Sequence, residues 1–273
     1  MSIEEKKTRI QNICNDKNLS VNEKIDAILA IHREVEEDTT DSYQVGCTAY
    51  ESIRQILLDE NDENYYDYDL LMCDCLLAEA YWHVQKSWLV APLAQEVYYI
   101  LLSFDTTDAN VLQTVIQILD RICYVLKGTG HSRLLMKLYA MQYRFEQKKV
   151  EPDNDELRSV AADLISLVSL TGYTAYYKPL EAGITLLLGQ KEVDELMRNP
   201  KVGHLKVDPV EYTESWEKII DDVEAEIDSM LEHEPRGMGF CFHYWSVKKN
   251  LLSEKYGIEW RSPALMNPGV MFD

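Results

Sequence analysis

The chain has 273 residues, enough for one large or two modest domains, and sets 27 Lys or Arg against 47 Asp or Glu for a net charge of −20. That excess argues against a nucleic-acid backbone or an anionic membrane as partner and favours a basic one, beside its plainer use as a well-solvated surface. No apolar run approaches the roughly 18–20 residues of a membrane helix. The start, Met1-Ser2-Ile3-Glu4-Glu5-Lys6-Lys7, has no apolar signal core, and six cysteines scattered through helical patterns read as reduced thiols of a cytoplasmic protein.

The first stretch, residues 2–14, spaces Ile3, Ile10 and Ile13 as a short helix. Ser20-Val21-Asn22-Glu23 has the pattern of a capping box and opens a second helix with Val21, Ile25, Ile28, Leu29, His32 and Val35 on one face. His32, among apolar neighbours, reads as a packed histidine rather than a ligand. After the acidic connection 34–41, a third helix turns Val45, Ala49, Ile53, Ile56 and Leu57 inward, and residues 59–64 break it with turn formers. A fourth runs over about 66–88 through Leu71, Cys75, Ala78 and Trp82. Cys73 and Cys75, two apart on a helix, point roughly 200° from each other and cannot readily share an ion.

Breaks then recur near Lys86-Ser87, Lys127-Gly128-Thr129-Gly130 and Leu170-Thr171-Gly172, about 42 residues apart, the length of a helix pair with its turns. Between them lie helices at about 89–104, 108–127, 131–148 and 154–170. Their apolar faces are wide, as in Leu112, Val115, Ile116, Leu119, Ile122, Cys123 and Leu126. By period and pattern, residues 40–190 resemble the tetratricopeptide-like class of α-helical repeats. The resemblance implies a right-handed superhelical stack of antiparallel helix hairpins whose concave face holds peptides or proteins, and it implies no catalytic residue.

Tyr173–Lys178 interrupts the pattern, and Pro179 either opens a new helix at its first turn or kinks an existing one. Residues 200–210, with Gly203 and Pro209, read as a linker. A helix over about 211–234 follows, with ten Asp or Glu against the single Lys218 and an apolar stripe from Trp216 to Leu231, so it packs on something and turns a negative face outward. The expected organisation is a helical-repeat domain over 1–199, a linker or loop over 200–210, and an acidic helix with a C-terminal cap over 211–273. The fold class is all-α, with at most a short strand pair around 200–208 or 258–272.

The last stretch, 235–273, differs from the rest: glycines, aromatics, a cysteine and a histidine crowd into Pro235–Trp245. It carries five Lys or Arg and three acids, so it should fold back on the acidic helix with Trp245 and Trp260 as anchors. Three other readings compete. Arg236, His243, Tyr244, Trp245 and Arg261 could line a site for an anion or small molecule. His233, Cys241 and His243, with Glu232, are metal-ligand types, but their spacing matches no standard finger. Cys241 beside His243 offers a thiolate nucleophile without an orienting acid. No GxSxG, HExxH, Walker or Rossmann pattern occurs, and no cofactor is implied.

The expected function is therefore a protein–protein interaction module of a bacterial-type cytoplasmic protein, its acidic face or groove receiving a basic or peptide-like partner. The rival is an enzyme or small-molecule binder centred on 235–273. Convergence of Arg236, His243, Tyr244 and Arg261 into one pocket favours the rival, and their burial as a wedge favours the module.

Overall fold

The computed structural model describes residues 2–59, 66–201 and 203–272. Among them all regular structure is helical, and no helix is long and apolar enough to cross a membrane. The chain divides into two compact units, residues 1–106 with 120–125 and residues 107–119 with 126–273.

The first unit contains α1 (Ile3–Asn15), α2 (Val21–Arg33), α3 (Thr40–Asp59), α4 (Tyr66–His83) and α5 (Val90–Leu102), with the later turns of α6 (Ala109–Leu126). The capping box is present: Ser20 N–H donates to Glu23 Oε2 at 2.8 Å and Glu23 N–H to Ser20 Oγ at 3.4 Å. Ser2 and Glu5 repeat it at α1. Ile10, Ile28, Ile31, Val45, Ala49, Ile53 and Leu57 form one core in which α3 packs on α1, α2 and α4. His32 sits edge-on to Tyr50 at 5.3 Å, and burial lowers its pKa, as suits a packed histidine. Cys73 and Cys75 are both buried, which pushes each thiol up to about 12. The expected break over 59–64 lies, beyond Asp59, outside the described residues.

In the second unit α7 (Ser132–Gln147) packs on α8 (Asn154–Thr171), and α9 (Glu181–Leu188) and α10 (Gln190–Arg198) pack on α8 in turn. Asp153 caps α8 by accepting from the amides of Asp155 and Glu156 at 2.9 and 3.2 Å. Gly172 ends it at φ +67, a conformation that costs an L side chain. Pro179 lies in a short 3₁₀ turn, Lys178–Leu180, that leads into α9, so it opens a helix.

The continuous helix expected over 211–234 is not there. It is a 3₁₀ turn (Pro209–Tyr212), a single α-turn α11 (Glu214–Glu217) and then α12 (Ile220–Met230). Thr213 is the cause of the restart, since its extended backbone ends the first turn while its hydroxyl caps the next by accepting from Trp216 N–H at 3.3 Å. The strand pair expected around 200–208 and 258–272 is also absent among the described residues. A side chain stands in for it: Lys206 N–H donates to Asn267 Oδ1 at 2.7 Å, and Asn267 Nδ2 donates to Lys206 O at 2.9 Å. One amide thus supplies the two bonds a paired strand residue would make.

After α12, the chain forms α13 (Phe240–Tyr256) and the short α14 (Pro263–Met266). Trp216, Ile220, Val223, Ile227, Leu231, Leu252 and Trp260 make a second core, with Tyr244, Trp245 and Leu251 packed at its edge. Gly130 controls one wall. Its φ is +88, and a Cβ there would lie 2.5 Å from Trp216 Nε1, whereas Gly128, at φ +80, has open space around it. Both Gly→Ala changes carry the left-handed strain, but Gly130→Ala should be the more destabilising by about 1–3 kcal/mol of overpacking. Urea unfolding of the two variants measures the difference, and equal midpoints would mean that Trp216 yields freely.

Candidate functional site

The acids of 211–234 do not form an open negative face, because most have partners within the chain. Glu217 accepts from the backbone amides of Arg133 and Leu134 at 3.2 and 3.0 Å and so caps the start of α7. Asp221 meets His131 Nε2 at 3.1 Å. Glu224, Glu226 and Asp228 pair with Lys248, Lys255 and Arg236, each at 2.5 Å, and Glu214 holds Lys218 at 2.6 Å. Glu211 Oε1 accepts the indole N–H of Trp260 at 2.7 Å, and burial raises its pKa. Asp222, Glu232 and Glu234 are left as exposed acids.

The residues singled out in 235–273 are placed separately. Arg236 lies over the Phe240 ring at 5.7 Å in addition to its Asp228 pair. Arg261 clamps Asp208 through its backbone amide at 2.8 Å, Nε at 2.9 Å and Nη2 at 3.2 Å. Burial alone would raise the pKa of Asp208, yet the Arg261 bonds outweigh it and the net shift is downward. Tyr244 is half-buried beside Phe240, and Trp245 meets Phe242 and Phe272 edge-on at 5.4 and 5.1 Å. His233 and His243 are exposed and Cys241 is half-buried. Among the described residues no group of three or more His, Cys, Asp or Glu could hold a metal. Arg236 and Arg261 thus bind two different carboxylates, while Tyr244 and Trp245 are packing residues.

Lys248 is the residue this region is built on. It is 9% exposed, bonded to Glu224, with Nζ 5.1 and 5.2 Å from the ring centres of Trp216 and Trp260. A desolvated ammonium needs both a counter-charge and a polarisable surface, and it has both. The sequence carried a signal for it: Tyr244, Lys248 and Leu252 are spaced i, i+4, i+8 along α13, so this lysine falls on the apolar stripe.

One hollow of this unit lies elsewhere, as a cavity of about 610 Å³. Its apolar wall includes Leu126, Leu135, Leu167, Leu170 and Leu205, with Tyr139 and Tyr212 as its aromatic members. Lys127, His131, Asp163, Lys201, His204 and Glu211 supply the charged and imidazole groups. Most are engaged. Lys127 Nζ bonds Asp163 at 3.0 Å and lies 5.6 Å from the Tyr139 ring centre. His131 bonds Thr129 through Nδ1 and Asp221 through Nε2, both at 3.1 Å. Comparison with protein-family models, curated proteins and solved structures finds no match for this chain.

Proposed function

We propose that the chain is a cytoplasmic protein-interaction module, in which the first unit's acidic surface receives a basic protein or peptide and helix hairpins of the tetratricopeptide-like kind serve as the scaffold. The distribution of charge carries this reading. The first unit has nine Lys or Arg against 22 Asp or Glu, a net −13, while the larger second unit has 18 against 25, a net −7. Several of those nine cations are already engaged: Lys6 and Arg9 hold Glu34, Arg54 holds Asp74 and Glu96, and Arg121 holds Glu79. The exposed acids Glu36, Glu37, Asp38 and Asp41, close together in sequence between α2 and the start of α3, form the densest exposed acidic cluster in the described part of this unit. Long-range attraction of this kind steers a partner of opposite sign and falls with ionic strength.

The test starts from a protein captured in native lysate at low salt, then identified and purified. It should be basic, and its affinity should collapse between low and near-molar salt, where the screening length shrinks to about 3 Å. The triple variant Glu36→Gln, Glu37→Gln, Asp41→Asn should weaken it about tenfold at low salt, from three exposed charges of a few tenths of a kcal/mol each. Salt-independent binding, or binding indifferent to the triple variant, removes the reading.

A further inference from the structure

The cavity of the second unit has an unusual charge balance for so acidic a chain. Its lining is drawn from three stretches far apart in sequence, residues 126–139, 163–170 and 201–212. Its volume, about 610 Å³, lies within the range of roughly 300–1,000 Å³ typical of small-molecule sites, and such sites join an apolar wall to a few polar groups that set orientation. Both acids on the wall are taken. Asp163 bonds Lys127 at 3.0 Å, and Glu211 accepts from Trp260 at 2.7 Å in a setting whose burial raises its pKa.

The wall's other groups divide by whether the protein satisfies them. Ser166 Oγ donates to Ala162 O at 2.7 Å and accepts from Lys201 N–H at 2.9 Å. His131 has partners at both ring nitrogens. By contrast, the side chains of Lys201 and His204 are exposed, and neither forms an ion pair or hydrogen bond with a described residue. They border the cavity on the segment that closes one side of it. The rim thus offers a lysine with no acid partner among the described residues, although the protein as a whole is at −20.

We propose that this cavity binds an amphipathic monoanion, an apolar body of fatty or aromatic type seated among the leucines with its carboxylate at Lys201 and His204. Burial of the body supplies the affinity, at roughly 25 cal/mol per Å² of apolar surface removed from water. The lysine supplies the sign preference, since an ammonium at the rim attracts a carboxylate and repels an ammonium. This is independent of the acidic surface of the first unit and of any protein partner.

The test is isothermal titration with decanoate, decanol and decylammonium, each below its micellar concentration, on the full chain. Decanoate should bind at one site per chain. Lys201→Glu, a change at an exposed position, should weaken decanoate about tenfold while leaving decanol within about twofold, as expected when an exposed pair is replaced by repulsion. Leu167→Trp should abolish both by filling the hollow, with Leu170→Trp as a second filling variant and circular dichroism confirming that each remains helical. The proposal is overturned if decanoate does not bind, if Lys201→Glu leaves its affinity unchanged, or if folded filling variants still bind it. It is equally overturned if decylammonium binds at the same site more tightly than decanoate, which would make Glu211 the group that reads charge.

Discussion

Trp216→Ala should destabilise the second unit by about 3–5 kcal/mol, a large part of the roughly 5–15 kcal/mol that holds a domain together. Trp216 is 1% exposed, lies 6.2 Å from Trp260 centre to centre, and forms one wall of the Lys248 site. Truncation opens a cavity and strips a buried ammonium of one aromatic face. Trp260→Ala should cost a similar amount for an additional reason: the half-buried Glu211 would lose the indole N–H it accepts. Trp245→Ala should cost clearly less, because that ring is only half-buried and its neighbours Phe242 and Phe272 lie at the edge of the core. Trp216→Phe makes a sharper comparison. The Trp216 Nε1 is buried without a hydrogen-bond partner among the described residues, so phenylalanine removes an unsatisfied donor along with the area, and its net cost should fall well below that of alanine. Urea unfolding followed by far-ultraviolet circular dichroism measures all four. If Trp216→Ala and Trp245→Ala unfold alike, the paired tryptophans are not the centre of this core.

What could be read from the sequence was what local chemistry decides. The Ser20–Glu23 box, the left-handed ends at Gly128 and Gly172, the opening of α9 at Pro179 and the burial of Ile28, Val45 and Leu119 follow from neighbours within a few residues. The helix expected over 211–234 failed because its stripe, read alone, runs on past Thr213. Nothing local reveals that Glu217 is needed at the first amides of α7, 83 residues earlier in the chain. The same limit hid the cavity, whose walls come from three distant stretches, and the Asp208–Arg261 clamp, whose partners are 53 residues apart.

The charge census was the most misleading feature. Ten acids on one segment suggested a face offered to a partner, yet seven have intramolecular roles in capping, pairing or accepting from an indole. The cations that answer them from 235–273, Arg236, Lys248 and Lys255, are close to their acids in space. A net charge therefore says little until each carboxylate is assigned, and after assignment the unpaired excess falls mainly on the first unit.

One carboxylate of that unit gives stability an unusual pH dependence. The Asp74 side chain is 0% exposed; its Oδ1 accepts from Arg54 Nε at 2.8 Å, and its Oδ2 has no partner among the described residues. Burial pushes its pKa up to about 6 from the ordinary aspartate value of 3.8, Arg54 opposes the rise, and Glu96, on the other side of the guanidinium, adds to it. A carboxyl whose folded pKa exceeds its unfolded one binds its proton more tightly when folded. Its contribution is thus fully present below the unfolded value and is lost as pH rises, over a window from about pH 4 to about pH 6. At 1.36 kcal/mol per pKa unit the loss amounts to about 3 kcal/mol. Asp74→Asn removes the titration while keeping an oxygen for Arg54, which still holds Glu96. Wild-type stability should therefore fall relative to Asp74→Asn by up to about 3 kcal/mol from about pH 4 to about pH 6.5 in urea unfolding, the other carboxylates cancelling in the comparison. A constant difference across the range would mean that Arg54 holds Asp74 ionised throughout. In that case the Arg54 pair, and not burial, would set the charge of this core.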